Sequence, residues 1–240
     1  MKKMVLLLAA LVMVSSNGFS EEMKQDKKET VGKKMPTRFQ AVSPDKAVIL
    51  QEGENKMYCP KCAMTLPMFY KTNHAAHVDG KPEQYCSIHC LAETMADGGK
   101  ITAIKVVDNS TLKFIDVIKA WYVMGSVKAG TMSMTSKYAF ANKSDAEKFA
   151  KEFGGQVLTY YAVMNSVKET LAKETEMIHK KQAMMAQKGE MMYTNMCTPV
   201  DAEFKSIAEA KTYVATQKPC GELKGKQLQA ISIYLNSRNK

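Results

Sequence analysis

Two closely spaced cysteine pairs constrain the fold of this chain more than any other feature of its sequence. Cys59 and Cys62 are separated by two residues, and Cys86 and Cys90 by three. Two thiolates at either spacing can face one ion, because a tight turn or the first turn of a helix brings them to the same side. A predicted β-hairpin that turns at residues 79–80 lies between the pairs. The sequence therefore predicts a fold in which four thiols from two segments meet at one metal site.

The cysteine content has a second interpretation. Six cysteines are present, and an even number in an exported protein is typical of disulfide bonds. Cys59 and Cys62 are then candidates for disulfide pairing or thiol–disulfide exchange, although their surroundings do not resemble the βαβ setting of thioredoxins. For Cys197 and Cys220, the sequence predicts a disulfide that closes a loop around a small core.

The N-terminus predicts export. Lys2 and Lys3 precede an apolar run over residues 4–14, and small residues follow before the first glutamates. This is the layout of a signal peptide over residues 1–20, with an apolar run too short to cross a bilayer as a helix. We therefore expect a soluble periplasmic protein with no stable membrane insertion, in which residues 21–45 form a mobile leader.

A repeated pattern organises residues 46–164. In each half a helix ends at a glycine pair, at residues 98–99 and 154–155, and a strand rich in β-branched residues follows. The pattern predicts two related strand–helix–strand units and an α+β fold. Beyond this domain, we expect a charged helical spacer over residues 165–190 and a small all-α unit over residues 191–240.

The net charge and the motifs exclude several classes of protein. The formal net charge is +10, but the lysines are interleaved with glutamates and form no arginine cluster, which is typical of a solvated surface and not of nucleic-acid binding. The sequence also lacks a serine–histidine–acid set, a phosphate-binding loop and a paired-carboxylate signature. We therefore expect a binding protein and not an enzyme.

The methionine content distinguishes between zinc and Cu(I) as the candidate metal. Four thiolates alone favour zinc in a structural role. The chain, however, contains 19 methionines. Met64 flanks the first cysteine pair, and Met132 and Met134 lie in a Gly/Ser/Thr loop where the sequence predicts no burial. Because thioethers are soft ligands that suit Cu(I), the pattern favours Cu(I), with a structural zinc-binding interaction module as the alternative.

Three histidines lie near the cysteine pairs in the sequence. His74 and His77 are three residues apart in a predicted strand, so they face opposite sides and at most one of them can be a ligand of the site. His89 lies between the cysteines of the second pair, and we predict that it faces solvent.

Three blocks of the sequence resemble one family. The string MYCPKCAM, within a TRASH-like arrangement of cysteine pairs, resembles the C-x2-C-G-M signature of NosL-type nitrous oxide reductase accessory proteins. The strings LKFIDVIKAWYVMGSVKAGTMSM and YAFANKSDAEKFAKEFGGQVLTYYAV are similar to later segments of that family, in the same order. The resemblance extends over about residues 57–163.

The resemblance implies a periplasmic copper chaperone of denitrification. Such a protein binds Cu(I) and delivers it to the copper centre of nitrous oxide reductase or to another copper-site assembly protein. Ala63 and Thr131 stand where the family has glycine and proline, and the family's lipoprotein cysteine is absent. Together with the cysteine spacing, the resemblance leads to a predicted ligand set of Cys59, Cys62, Met64, Cys86, Cys90 and Met132.

The C-terminal residues 191–240 are similar to a small cytochrome c domain without its haem attachment motif. Cys197 is followed by Thr198 and Pro199, so no C-x2-C-H motif is formed and we expect no haem. A second, methionine-rich copper site over residues 184–196 is an alternative role for this part of the chain.

Overall fold

A computed structural model of the protein describes residues 38–238. The predicted signal peptide and residues 21–37 of the predicted leader lie outside the described residues. The described part of the chain contains two antiparallel sheets and five α-helices. The strands are β1 (His74–Val78), β2 (Lys81–Tyr85), β3 (Ile101–Val107), β4 (Phe114–Asp116), β5 (Trp121–Met124), β6 (Lys137–Phe140) and β7 (Gln156–Thr159). The helices are α1 (Ile88–Ala96), α2 (Lys143–Phe153), α3 (Tyr160–Met196), α4 (Ile207–Gln217) and α5 (Gly225–Ser237).

The two sheets repeat one connection. β1 is the middle strand between β2 and β3, with β4 at the outer edge of β3, and β5 is likewise the middle strand between β6 and β7. In both halves the chain passes from the middle strand to one neighbour, then through a helix to the other neighbour. The predicted α+β fold of two related strand–helix–strand units is therefore confirmed, and the structure adds β5 to the second unit.

The hairpin between β1 and β2 turns at Asp79 and Gly80, as the sequence predicts. Both residues have positive φ angles, 50° and 83°, which are typical of the tight hairpin turns that Asp-Gly pairs favour. The resulting register pairs His74 with Tyr85. The turn thereby returns the chain to Cys86, which directly follows β2.

The sequence pattern predicts that the strand after the glycine pair at residues 154–155 extends over residues 156–163. Helix α3 begins within this range. The strand β7 ends at Thr159, and α3 follows directly. Burial of one helical face outweighs the β propensity of this segment. The first two turns of α3 bury four residues at helical spacing: Tyr160, Val163, Met164 and Val167.

The described chain begins with a packed segment. Phe39 belongs to the predicted leader, and its ring packs against Tyr138, Phe149 and Phe153. The sequence predicts that the domain begins at residue 46. Phe39 lies before this boundary but packs against residues of the domain.

Helices α4 and α5 enclose an apolar core of their own, and α5 packs against α3. Cys197, directly after α3, forms the predicted disulfide with Cys220, between α4 and α5. Helices α3 and α5 approach closely at Gly189, where a Cβ atom would lie 2.1 Å from the carbonyl oxygen of Ala230, so only glycine fits there. None of the described helices is both long and apolar enough to span a membrane.

Candidate metal centre

The four cysteines of the two close pairs meet in one buried cluster. Their Sγ atoms all lie within 4.8 Å of one another. Sγ of Cys62 lies 3.4 Å from that of Cys86 and 3.7 Å from that of Cys90, and the latter two are 3.8 Å apart. All four are free thiols. Disulfide sulfurs are about 2 Å apart, whereas sulfurs that surround one ion at about 2.3 Å are about 3.8 Å apart, so the cluster has the spacing of a metal site.

The first pair lies on a tight knuckle that its own backbone holds. The N–H of Ala63 donates to the carbonyl oxygen of Cys59 at 2.8 Å, and the N–H of Cys59 donates to that of Met64 at 2.9 Å. Ala63 has a φ of 55°, in the left-handed region that favours glycine. Ala63, which stands where the NosL signature has glycine, therefore adopts the backbone turn that a glycine would favour.

Helix α1 positions the second pair. Ser87 is the N-cap residue, and its Oγ accepts a hydrogen bond from the N–H of Cys90 at 3.5 Å. Cys86 therefore directly precedes the cap, and Cys90 lies in the first helical turn. The positive end of the helix dipole favours thiolates at these two positions.

The four thiols differ in how readily they lose a proton. Burial raises the pKa of Cys59, but hydrogen bonds with the other three thiols outweigh burial, and the pKa falls well below its ordinary value. The hydrogen bond with Cys59 raises the pKa of Cys62. Burial raises the pKa of Cys86 well above its ordinary value, and the hydrogen bond with Cys59 does the same for Cys90. The four thiols therefore do not lose their protons independently, and a cation among the sulfurs would favour their thiolate forms.

Two side chains from the C-terminal helices contact the knuckle. Nζ of Lys211 in α4 donates to the carbonyl oxygen of Ala63 at 2.7 Å and to Oγ1 of Thr65 at 3.2 Å. Nε2 of Gln229 in α5 donates to the carbonyl oxygen of Cys62 at 3.0 Å. Burial lowers the pKa of Lys211 to about 8, and the thiols of the cluster oppose this effect.

Sequence reasoning missed Lys211 and Gln229. Both lie outside the blocks that resemble the NosL family, and neither belongs to a metal-binding motif. One signal was available for Lys211, because it shares the buried face of α4 with Ala208 and Val214, where an apolar residue is the ordinary choice.

The two predicted methionine ligands lie beside the core that contains the cysteines. Met64 and Met132 are half-buried and pack against this core. The loop of Met132 is tied to the second cysteine pair by Thr72, whose Oγ1 lies 2.8 Å from the carbonyl oxygen of Cys86 and 2.9 Å from Oγ1 of Thr131. The fold thus brings the loop next to α1, the cysteine helix, although Met132 lies 46 positions after Cys86 in the sequence.

The two strand histidines are not part of the cysteine cluster. His77 is exposed. His74 is buried, with Nε2 2.9 Å from the Tyr122 hydroxyl and Nδ1 3.1 Å from the carbonyl oxygen of Thr72. Burial lowers the pKa of His74 to about 4, so its ring is neutral at pH 7 and is held by its hydrogen-bond partners.

The predicted exposure of His89 is wrong. Its side chain is 1% exposed, because α3 crosses α1 and covers it. Nε2 of His89 lies 3.6 Å from Oε1 of Glu93, and Nδ1 lies 3.3 Å from Oε2 of Glu174. The residue therefore joins the cysteine helix α1 to α3 and does not face solvent.

Comparison with known proteins agrees with the resemblance. Residues 51–168 match the sequence model of the NosL family. The crystal structure of the copper chaperone NosL from Shewanella denitrificans is similar, with a TM-score of 0.37 and 22% sequence identity over 47% of this chain and 93% of that chain. No curated protein matches the sequence. The family match includes all four clustered cysteines, Met64 and Met132, and ends before α4 and α5. The resemblance of this chain to the NosL family is therefore confirmed over residues 51–168.

Proposed function

We propose that the protein is a periplasmic copper chaperone that binds Cu(I) at the cysteine cluster and passes it to a copper-site protein, with no reaction catalysed. The observation that carries the proposal is the convergence of four buried free thiols within 4.8 Å. The match of residues 51–168 to the NosL family supports the same role. The proposed ligand set is Cys59, Cys62, Met64, Cys86, Cys90 and Met132.

The donor set fits Cu(I). Thiolates and thioethers are soft ligands, and both suit a soft monovalent ion. Two or three of these sulfurs are sufficient to hold Cu(I), so the remaining donors allow the ion to move from one sulfur to the next during capture and release. Such ligand exchange breaks no covalent bond in a substrate.

Metal analysis of the protein after anaerobic purification tests the proposal. We expect Cu(I) to bind to the wild-type protein and binding to be lost in Cys62→Ser. Met64→Leu and Met132→Leu are expected to bind Cu(I) more weakly, because each loses a soft donor but keeps its apolar volume. Met134→Leu is the matched control, since Met134 lies in the same loop and is 83% exposed.

A structural zinc module is the second candidate function. It is favoured by the burial of all four thiols, because structural zinc sites are four-coordinate and closed. In that case the purified protein contains zinc, and the three methionine variants bind it as the wild type does. A purified protein that holds no metal and contains disulfides among the four clustered cysteines would instead support thiol–disulfide exchange and contradict the copper proposal.

The proposed recipient is the copper centre of nitrous oxide reductase. Incubation of the Cu(I)-loaded protein with metal-free nitrous oxide reductase is expected to restore copper to the reductase in the presence of a Cu(I) chelator that removes free ions. The Cys62→Ser variant is the negative control. Retention of copper by the chaperone under these conditions would point to another recipient.

A further inference from the structure

Helix α4 carries a buried lysine next to the cysteine cluster. The side chain of Lys211 is 3% exposed, and its neighbours on the buried face of α4 are small or apolar. Lysine is almost never fully buried unless its charge is compensated. The position of Lys211 therefore requires a compensating group nearby.

The direct partners of Lys211 are neutral. Its Nζ donates to the carbonyl oxygen of Ala63 at 2.7 Å, to Oγ1 of Thr65 at 3.2 Å and to Oε1 of Gln229 at 2.7 Å. It also lies 4.6 Å from the centroid of the Tyr58 ring. Among the described residues, no carboxylate lies within ion-pair distance of Lys211. The hydrogen bonds satisfy its three donors, and its charge has no acidic partner in the part of the chain that the structure describes.

The clustered thiols act on the charge of Lys211, since Cys62, Cys86 and Cys59 raise its pKa against the effect of burial. Lys211 binds the backbone of the knuckle directly after Cys62, and Gln229, its partner in α5, binds the carbonyl oxygen of Cys62 itself at 3.0 Å. The charge of Lys211 is therefore held on the wall of the thiol cluster by two C-terminal helices. Both helices lie outside the range that matches the NosL family.

We infer that Lys211 is the charge-compensating and positioning residue of the metal site, and that α4 and α5 are a functional part of that site. This inference rests on the proposed metal-binding function. Several thiolates around one monovalent ion leave an excess of negative charge in a buried space, and a nearby cation lowers the free energy of that charged state. The hydrogen bond to Ala63 also holds the left-handed turn that directs Cys59 and Cys62 to one side.

Three substitutions of Lys211 separate its charge from its hydrogen bonds. Lys211→Arg keeps the charge, Lys211→Gln keeps a hydrogen-bond donor without the charge, and Lys211→Met keeps only the apolar stem. Lys226→Met is the matched control, because Lys226 is an exposed lysine of α5. The measurements are Cu(I) affinity by competition with a chromogenic Cu(I) chelator, and circular dichroism with thermal unfolding of the metal-free proteins.

We expect Lys211→Gln and Lys211→Met to bind Cu(I) about 10- to 100-fold more weakly than the wild type, the range that is typical of groups supporting a ligand shell. Lys211→Arg should recover most of the affinity, and Lys226→Met should match the wild type. A purely structural role predicts instead that Lys211→Gln matches Lys211→Arg, and this result would overturn the inference. If Lys211→Met does not fold, the comparison of Lys211→Gln with Lys211→Arg still distinguishes a role of the charge from a purely structural role.

The test of Lys211 can fail or succeed independently of the test of the copper proposal. Wild-type affinity in Lys211→Met, together with loss of binding in Cys62→Ser, would refute the role of Lys211 and leave the copper proposal intact. If the wild type binds Zn(II) and not Cu(I), the copper proposal fails, and the same Lys211 variants measured with Zn(II) test the charge-compensating role independently.

Discussion

Ser133 Oγ, in the loop next to Met132, donates a hydrogen bond of 2.7 Å to Oε1 of Glu174 in α3. The other carboxylate oxygen of Glu174 faces Nδ1 of His89 at 3.3 Å, and Nζ of the buried Lys137 donates to Ser133 at 3.0 Å. One carboxylate thus connects the methionine loop, the cysteine helix α1 and the long helix α3. The position of the loop depends on α3 as well as on its own sequence.

Loss of the Glu174 carboxylate is expected to destabilise the protein. Glu174→Ala removes the acceptor of the Ser133 hydrogen bond and the carboxylate that faces the buried His89 ring, and we expect a cost of about 1–3 kcal/mol in the free energy of unfolding. Urea unfolding of the metal-free protein measures this change. Glu176→Ala is the control, because Glu176 is exposed and pairs with Lys180 at the surface. Equal stability of the two variants would contradict the role assigned to Glu174.

A methyl group at Gly189 is expected to force α3 and α5 apart. The Cβ atom in Gly189→Ala would meet the carbonyl oxygen of Ala230 at 2.1 Å, and overpacking of this kind costs about 1–3 kcal/mol. The intrinsic helix preference of alanine has the opposite sign, so an observed stabilisation would show that the two helices are not held at this distance. Chemical denaturation provides the measurement, with Lys188→Ala at the exposed neighbouring position as the control.

The stability of the protein is expected to fall between pH 6.5 and pH 4 because of His74. Its pKa in the folded protein is about 4, below the ordinary value of 6.5, so over this range the unfolded chain binds a proton that the folded protein does not. The stabilisation is complete above pH 6.5 and is lost as the pH falls, by about 3 kcal/mol at pH 4 and below.

The pH dependence of the free energy of unfolding, measured for the wild type and for His74→Gln, tests this expectation. The variant should have a shallower dependence between pH 6.5 and pH 4.5. His77→Gln removes an exposed histidine of the same strand and should keep the wild-type dependence. Parallel curves for the wild type and His74→Gln would contradict this expectation, because they would show that His74 binds its proton equally in the folded and unfolded states.

The disulfide between Cys197 and Cys220 is expected to stabilise the C-terminal helices by about 2–4 kcal/mol. The double variant Cys197→Ser with Cys220→Ser should unfold at a lower temperature than the wild type. A thiol reductant should lower the unfolding temperature of the wild type and leave that of the double variant unchanged. The four clustered cysteines are free thiols, so a reductant-sensitive double variant would reveal a further disulfide.

The cysteine cluster was predictable because its determinants are local. The spacing of Cys59 from Cys62 and of Cys86 from Cys90 decides which thiols can share one ion, and the Asp79-Gly80 turn returns the chain from the first pair to the second. The α+β fold was predictable for a similar reason, since each glycine pair ends a helix before a strand.

Other features were not predictable from patterns along the chain. The burial of His89 follows from the crossing of α1 by α3, and a single exposed-looking position between two cysteines carries no signal of that crossing. The start of α3 at Tyr160 was not predictable, because the aromatic and β-branched residues of this segment locally prefer a strand. Burial of one helical face against the domain core favours the helix instead.

The amino-acid sequence by itself determined the chemical character of the site, which is four soft thiols in two pairs together with the candidate methionine donors Met64 and Met132. Only the tertiary structure decided what surrounds those thiols, namely the loop of Met132 beside Cys86, and Lys211 and Gln229 on the knuckle. The physical reason is that thiol spacing acts through a few backbone torsions, whereas the approach of α4 and α5 depends on the packing of whole helices from distant parts of the chain.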